Sequence, residues 1–389
     1  MCYKNPKILV IEDNPDNLEH VSSILIKARF QLEIAVNGLY AMTRLASNNY
    51  DLVILDLSKP GINGKDFFSL IKSSSHIEDL PVIFIIPPGE KKDFMSGMDV
   101  GGYDFVSTPI NEKELLTRIN YQLELKNARY QIKKSESFKS SLRYASQIQA
   151  SLLPSSQLLD DQFSSYFLLS LPLDIVSGDF FWIKRIGKQL FVAVADATGH
   201  GVPGAFLSVL GISLLNEITL EDTLEKPGNI LNKLRDKVKD SLRSNQFKAE
   251  KYNGLDMAIC KIDTETNAIT FAGANNSVYI SQGEKLLELK GDRQPIGSHI
   301  RERPFENQHL QLHAGDRIYF SSDGFADQLG GGKHPKKYQS RNFKTLLENI
   351  SNKQLSNQKE ILLEKHMEWR GVQDQVDDIL VLGLELPVS

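Results

Sequence analysis

The C-terminal half of the sequence places aspartates where apolar, strand-like runs begin or end. Asp179 precedes the run FFWIKRI and Asp196 follows QLFVAVA, while Gly187 and Lys188 between the runs form a plausible two-residue hairpin turn. With that turn at the centre, Asp179 and Asp196 lie directly opposite each other. Facing carboxylates repel unless a cation lies between them, and such hard oxygen ligands suit Mg²⁺ or Mn²⁺. Acidic strand ends are also common on surfaces, so the pair alone leaves both readings open.

Further aspartates favour the metal site. Asp323 follows a strand predicted over 317–321, and Asp377 and Asp378 precede one predicted over 379–386. If these two strands pair antiparallel, their acids also meet at one end. Four or five clustered carboxylates are hard to stabilise as structure alone. The glycine-rich turn DATGHGVPG, which leads into an apolar helix, would let backbone carbonyls approach a cation closely.

Six separated segments carry a family resemblance. In order, they are SGDFF, DATGHGVPGAF, FAGANN, GDRQPIG, SDGFADQ and QVDDILVLGL. Over about 145–386 the sequence resembles the bacterial metal-dependent (type 2C) protein phosphatases of the SpoIIE/RsbU branch. The resemblance implies a phosphoserine or phosphothreonine substrate, commonly an anti-sigma-factor antagonist domain, and two Mn²⁺ or Mg²⁺ ions that share a bridging water and activate it for in-line attack.

The resemblance also implies a ligand set. Asp179 and Asp196 would hold one ion with the backbone carbonyl of Ala197, and Asp196, Asp323 and Asp377 would hold the other. Asp378 belongs to the same metal site, as a supporting hydrogen bonder. His200 is either an acid or phosphate-side donor, or a cap of the following helix, and the cap is favoured. Asp256, Asn275 and Asn276 are expected to support the site rather than to react.

The N-terminal part alternates short apolar runs with helical segments, which predicts a parallel sheet wrapped by helices. The predicted strands are 7–11, 31–35, 51–55, 81–86 and 104–107, with helices at Asn17–Ala28 and Gly38–Ser47. Five such units in about 120 residues indicate a flavodoxin-like fold.

This N-terminal part resembles the receiver domain of response regulators. Glu12, Asp13 and Asp56 match the acidic pocket that binds Mg²⁺ and accepts a phosphoryl group on the aspartate. The loop residues Pro60-Gly61 and Gly64 also match the family.

Two other receiver positions are replaced. Ile86 stands where relatives have Ser or Thr, and Thr108 stands where they have Lys. Isoleucine cannot bond a phosphoryl group, and a hydroxyl cannot replace an ammonium charge. The sequence therefore favours an atypical receiver kept for dimerisation or docking. The rival is a phosphorylated Asp56 that is read by Lys59, Ser107 or Thr108.

Between the two parts, residues 112–153 show apolar positions three or four apart, interrupted by the polar patch KKSES. This predicts one long helix or two in series, ended by Pro154. The narrow stripe indicates either a coiled-coil homodimer seam or a helix packed on its own domain.

Composition limits the remaining options. The 389 residues are 41% hydrophobic, which is enough for two domains, and the net charge of −4 argues against nucleic-acid or anionic-membrane partners. Cys2 and Cys260, far apart, indicate neither a disulfide framework nor a thiolate metal site. No signal peptide or membrane-length apolar run is apparent, so we expect a cytoplasmic protein.

The sequence thus predicts an α/β flavodoxin-like receiver domain (1–122), a helical linker (112–153) and an α+β phosphatase domain (154–389) built as an antiparallel β-sandwich flanked by helices. The predicted function is a phosphoserine/phosphothreonine protein phosphatase in a bacterial partner-switching pathway, regulated by the receiver. The alternatives are a non-catalytic adaptor that binds partners through a phosphatase-like fold, and a hydrolase of small phosphorylated metabolites.

Overall fold

The structure is a computed structural model that describes residues 5–56, 79–89, 104–220, 225–242, 254–283 and 285–386. The chain divides into two compact units, Met1–Phe138 and Lys139–Ser389.

The first unit is built on a five-stranded parallel sheet of order β2-β1-β3-β4-β5. Its strands are β1 Lys7–Ile11, β2 Gln31–Ala35, β3 Leu52–Asp56, β4 Val82–Ile86 and β5 Asp104–Ser107. Apolar clusters cover both faces of the sheet, as expected for parallel strands. The order is that of a flavodoxin-like fold, which confirms the prediction.

Helices Pro15–Lys27 and Gly38–Ser47 belong to this sheet's wrapping. The first begins two residues before its predicted start, because the Asn14 side chain caps it by accepting from the Asp16 and Asn17 amides. Proline at the first helical position needs no hydrogen-bond partner there.

The linker is one continuous helix, Glu112–Leu152. Near its beginning Leu115, Ile119 and Leu123 are buried in the core of the first unit. Further along, Ile132 and Phe138 are exposed. The polar patch KKSES does not break the helix, so of the two predicted forms the single helix is confirmed.

The second unit contains two packed antiparallel sheets, of order β14-β10-β9-β8-β7 and β12-β11-β15-β18-β6, with β13 paired to β9. The first sheet holds β7 Phe180–Ile186, β8 Gln189–Ala197, β9 Gly254–Asp263, β10 Ala268–Ala274, β13 Ile296–Gly297 and β14 Gln308–Gln311. The second holds β6 Ser165–Leu171, β11 Val278–Gln282, β12 Lys285–Leu289, β15 Arg317–Ser321 and β18 Ile379–Glu385. A separate hairpin pairs β16 Leu329–Gly330 with β17 Lys336–Lys337.

Helices cover the sandwich on both sides. One apolar cluster fills the space between the sheets. A second lies under helices Gly201–Ile218 and Pro227–Leu242, and a third lies under Ser340–Ile350 and Leu355–Arg370. The short helices Ser156–Gln162 and Gly324–Asp327 complete the described elements. The predicted α+β sandwich is confirmed.

Residues 340–370 form two helices, Ser340–Ile350 and Leu355–Arg370, rather than one. The polar residues Ser351 to Gln354 separate them, and the Arg317 guanidinium donates to the carbonyls of Ser351 and Lys353. Those carbonyls are therefore satisfied outside a helix.

Helix Gly201–Ile218 is long and apolar enough to cross a membrane, by length and composition alone. Leu207, Ile212 and Leu215 lie in a buried cluster against the first sheet, and more than half of the helix is buried. It therefore fits a core helix of the sandwich.

Candidate metal centre

The β7–β8 hairpin has the register predicted for it. Phe180 pairs with Ala195 and Ile186 with Gln189, so the turn is centred on Gly187 and Lys188. One further step in this register brings Asp179 opposite Asp196.

The same row of the sheet continues onto a third acid. Asp196 pairs with Asp256 on β9, and directly paired residues project on the same face of a sheet. The Asn275 side chain donates to Asp256 Oδ1 over 2.9 Å. Burial, reinforced by the charge of Asp323, raises the pKa of Asp256 to about 6. Asp256 therefore lies directly beside Asp196, and its supporting role stays a prediction.

Asp323 and Asp377 come from the second sheet. Strands β15 and β18 are antiparallel, with Ser321 opposite Val381, so Asp323 after one strand and Asp377 before the other reach the same end. This confirms the strand pairing on which their predicted meeting depends.

A serine joins the two sheets at this end. Ser322 Oγ donates to Asp179 Oδ2 over 2.5 Å and accepts from the Leu380 amide at 2.9 Å. The Asn276 side chain makes a second link by donating to the Ser321 carbonyl over 2.8 Å. The acids of both sheets are therefore held at one end of the sandwich.

Burial and mutual repulsion keep these carboxyls protonated more readily than usual. Burial raises the pKa of Asp179, Asp196, Asp323 and Asp377 above the usual range, and neighbouring carboxylates raise each further. Asp196 and Asp323 lie close enough for each to shift the pKa of the other. A cation would supply the positive charge that these neighbouring carboxyls lack.

Asp378 has a different environment from Asp377. Its Oδ1 accepts from the Leu173 amide and its Oδ2 from the Gly178 amide, each over 2.7 Å. Because both oxygens are engaged, Asp378 clamps the loop before Asp179. Asp377 is half-buried and is the better candidate for a ligand.

Glycine allows the turns around the centre to approach closely. A Cβ at Gly178 would lie 3.1 Å from the Ala197 carbonyl oxygen, and one at Gly204 would lie 2.0 Å from the Gly199 carbonyl oxygen. Larger residues at Gly204 would displace the Gly199 backbone, which lies between Ala197 and His200 in the chain.

His200 occupies the N-cap position of helix Gly201–Ile218, but its side chain makes no capping hydrogen bond. The favoured interpretation as a side-chain cap is therefore wrong. His200 is exposed, and a positive charge there would lower the pKa of Asp377, so it lies near the carboxylates.

The donor set fits Mg²⁺ or Mn²⁺, which prefer carboxylate and carbonyl oxygen. In the described part of the chain, no three His, Cys, Asp or Glu side chains already enclose a point where an ion could sit. Asp179 instead accepts a hydrogen bond from Ser322. The residues suit the ion in type and charge, and their side chains would have to turn toward a common point to ligate it.

One residue that sequence reasoning missed contacts the loop before Asp179. Buried Gln149, near the end of the long helix, donates to the Ser177 carbonyl at 2.5 Å and to Ser208 Oγ at 2.7 Å. It also accepts from the Ser177 amide, and Ser177 Oγ accepts from the Asp179 amide. The only signal in the sequence was a glutamine within an apolar stripe.

The receiver's acidic pocket lies at the carboxyl ends of the neighbouring strands β1 and β3. The strand order of the sheet reverses between these two strands, which is where ligands bind in such folds. Glu12 is buried, and Asp56, the last residue of β3, is half-buried. Burial and a hydrogen bond with Asp56 raise the pKa of Glu12 to about 7. Asp13 is exposed beside them.

The replaced positions also reach this edge. Buried Ile86 ends β4, and its carbonyl accepts from the Thr108 amide over 3.0 Å. Ser107 ends β5 and is exposed. Lys59, Pro60, Gly61 and Gly64 lie outside the described residues.

This combination of a two-layer antiparallel sandwich, flanking helices and a carboxylate end is that of a type 2C protein phosphatase fold. The family model for Stage II sporulation protein E (SpoIIE) matches residues 186–387, more than half of the chain. The chain belongs to the SpoIIE family, whose members are generally metal-dependent. A response regulator receiver domain model matches residues 8–120.

A solved structure supports the same assignment. The SiaA-PP2C domain of Pseudomonas aeruginosa is 31% identical with a TM-score of 0.59, and the match covers 65% of this chain and 99% of that one.

The curated relatives match the receiver part. A probable transcriptional regulator ycf29 of Pyropia yezoensis is 33% identical over 29% of this chain and 51% of its own length. PhoB, a phosphate regulon transcriptional regulatory protein of Klebsiella pneumoniae, is 34% identical over 29% and 49%. The chain thus spans about half the length of these relatives.

Proposed function

We propose that this protein is a metal-dependent phosphoserine/phosphothreonine protein phosphatase of a bacterial partner-switching pathway. The convergence of Asp179, Asp196, Asp323 and Asp377 at one end of the sandwich supports this most directly. Burial and mutual repulsion raise the pKa of each carboxyl, which means that the cluster lacks nearby positive charge. Divalent cations would supply that charge.

In this proposal Asp179, Asp196 and the Ala197 carbonyl hold one Mn²⁺ or Mg²⁺, and Asp196, Asp323 and Asp377 hold the other. When bound, the ions would lower the pKa of a shared water and neutralise charge on the phosphate. Ser322 orients Asp179 through its 2.5 Å hydrogen bond, and Asp378 fixes the Gly178 backbone beside it. The exposed His200 side chain makes no capping hydrogen bond, and it would donate a proton to the leaving serine or threonine oxygen.

Regulation would reach this centre through the linker (112–153), between the receiver-like domain (1–122) and the phosphatase domain (154–389). Gln149 contacts both the backbone before Asp179 and helix Gly201–Ile218, so a shift of the long helix would move the ligand loop. Exposed Ile132 and Phe138 support a homodimer seam along that helix.

The receiver-like domain would act chiefly by docking or dimerisation. Glu12, Asp13 and Asp56 retain a pocket suited to Mg²⁺, but Ile86 and Thr108 supply no cation to read a phosphoryl group. The phosphorylated substrate would be a protein, such as an anti-sigma-factor antagonist domain in the cytoplasm.

Hydrolysis of a phosphoserine peptide with Mn²⁺ tests the proposal, using Asp179→Asn and Asp323→Asn beside the wild type. Asp263→Asn is the matched control, because Asp263 ends strand β9 at the end of the sheet away from the carboxylate cluster. We expect phosphate release by the wild type and the control and at least a hundredfold loss in the two ligand variants. Equal rates in all four proteins would refute the enzymatic assignment and favour the adaptor alternative.

A further inference from the structure

A groove of about 770 Å³ lies beside the hairpin β16–β17, at the C-terminal end of helix Leu355–Arg370. Three cations line it: Lys333, Lys365 and Arg370. Glu368 is the acid among its lining residues, and it pairs with Lys365 at 2.8 Å. Trp369 and the exposed Val372 add apolar surface. We call this the basic groove.

The walls of the basic groove are fixed by hydrogen bonds and aromatic packing. Trp369 Nε1 donates to the Gln328 carbonyl over 3.1 Å, and the Gly331 amide donates to the Trp369 carbonyl over 3.0 Å. Tyr338, just after the hairpin, packs edge-on against the Trp369 ring at 5.2 Å. A preformed groove loses little conformational entropy when a ligand binds.

Chain connectivity places the basic groove next to the candidate metal centre. Gln373 in its lining is four residues before Asp377, so the two lie within about 14 Å of each other along the chain. On the hairpin beside the groove, Lys337 pairs with Asp327 Oδ2 at 2.6 Å, and Asp327 ends the short helix that begins after Asp323. An extended peptide spans such a distance with about four residues.

The charge of this region is opposite to that of the whole chain, which carries −4. Lys333 and Lys336 are exposed and form no ion pair within the described ranges, so they extend the positive surface along the hairpin. Such a surface attracts acidic side chains and repels basic ones.

We propose that the basic groove docks an acidic segment of the phosphoprotein substrate, about four residues from the phosphorylated serine or threonine. This inference rests on the proposed phosphatase function and adds a substrate feature to it. Lys333 and Arg370 meet acidic side chains of the segment, and its apolar side chains lie against Trp369 and Val372.

Binding by the full chain tests the groove independently of catalysis. Two fluorescein-labelled peptides are compared by anisotropy: both have alanine at the phosphoserine position, and one has three acidic residues four positions away where the other has their amides. We expect the wild type to favour the acidic peptide and Lys333→Glu to weaken its binding about fivefold to tenfold. Arg370→Gln should act in the same direction, and salt should weaken wild-type binding.

Lys359→Glu is the matched control for Lys333→Glu. Lys359 is an exposed lysine of helix Leu355–Arg370, which also carries Arg370, but it lies outside the groove. Equal binding of both peptides, or equal losses in Lys333→Glu and Lys359→Glu, would overturn the proposal. Mn²⁺-dependent hydrolysis of p-nitrophenyl phosphate is measured on the same preparations. Selective binding without hydrolysis would count against the phosphatase function alone, whereas hydrolysis without selective binding would count against the groove alone.

Discussion

Asp256 provides a direct test of the electrostatics at the carboxylate end. Its pKa is raised from 3.8 to about 6, first by burial and then by the charge of Asp323, against the hydrogen bond from Asn275. The folded state therefore holds this proton more tightly than the unfolded state. Between pH 3.8 and about pH 6, the free energy of unfolding must fall as pH rises, because the folded protein has to ionise a buried acid.

The size of the effect follows from the shift. Raising a pKa from 3.8 to about 6 costs the ionised folded state about 3 kcal/mol relative to the unfolded chain. Asp256→Asn removes the titration, and the asparagine carbonyl can still accept from Asn275. In metal-free protein, the stability of the variant relative to the wild type should thus rise by about 2.4 kcal/mol from pH 4 to pH 7, because part of the total of about 3 kcal/mol is already expressed at pH 4.

Denaturant unfolding with a chelator present, followed by tryptophan fluorescence, measures this difference. Both tryptophans, Trp182 and Trp369, lie in the second unit and report its unfolding. Asp263→Asn, at the other end of β9, is the control: hydrogen bonds from the Thr266 amide and from Gln189 lower the pKa of Asp263 to about 2. Its effect on stability should stay constant over this pH range. A pH-independent effect of Asp256→Asn would refute the buried-acid reasoning.

Three further outcomes are expected. Gln149→Leu leaves the Ser177 backbone groups without their partner, so we expect about 1–3 kcal/mol lower stability and weaker Mn²⁺ activation. Gln147→Leu, at an exposed position, is the control. Equal effects of the two variants would contradict a role of Gln149 in holding the Ser177 loop. Ser322→Ala removes the donor to Asp179 and should weaken Mn²⁺ binding about tenfold in calorimetry; unchanged affinity would exclude an orienting role. Incubation with acetyl phosphate and Mg²⁺ should add no phosphoryl group to Asp56, since Ile86 and Thr108 cannot support one; the intact mass of the wild type and of Asp56→Asn is compared. A mass gain in the wild type that is absent from Asp56→Asn would show that Asp56 is a phosphorylation switch.

Much of the fold follows from local patterns. The turn at Gly187 and Lys188 fixes the hairpin register and thereby the opposition of Asp179 and Asp196. Alternation of apolar runs with helical segments is sufficient for the parallel sheet of the first unit. These features depend on residues close in sequence.

The features that the sequence did not reveal, such as the contacts of Gln149 and the exact neighbours of Asp256 and His200, depend on distant pairings. Asp256 lies beside Asp196 because β8 pairs with β9, about 60 residues later, and no local signal sets that register. Gln149 is a contact residue only because its helix packs against the loop at Ser177. His200 has the position of a cap, but whether its side chain bends back or faces the acids is decided by tertiary surroundings.

The central claim is that the carboxylate cluster catalyses phosphoserine hydrolysis through divalent cations. Its most direct test is a titration of Mn²⁺ into chelator-treated full-length protein, with phosphate release from a phosphoserine peptide as the readout. We expect saturable activation from a negligible rate in the wild type and no activation in Asp196→Asn, whose carboxylate is shared by both proposed ions. Hydrolysis that needs no added metal, or that proceeds equally in Asp196→Asn, would contradict it.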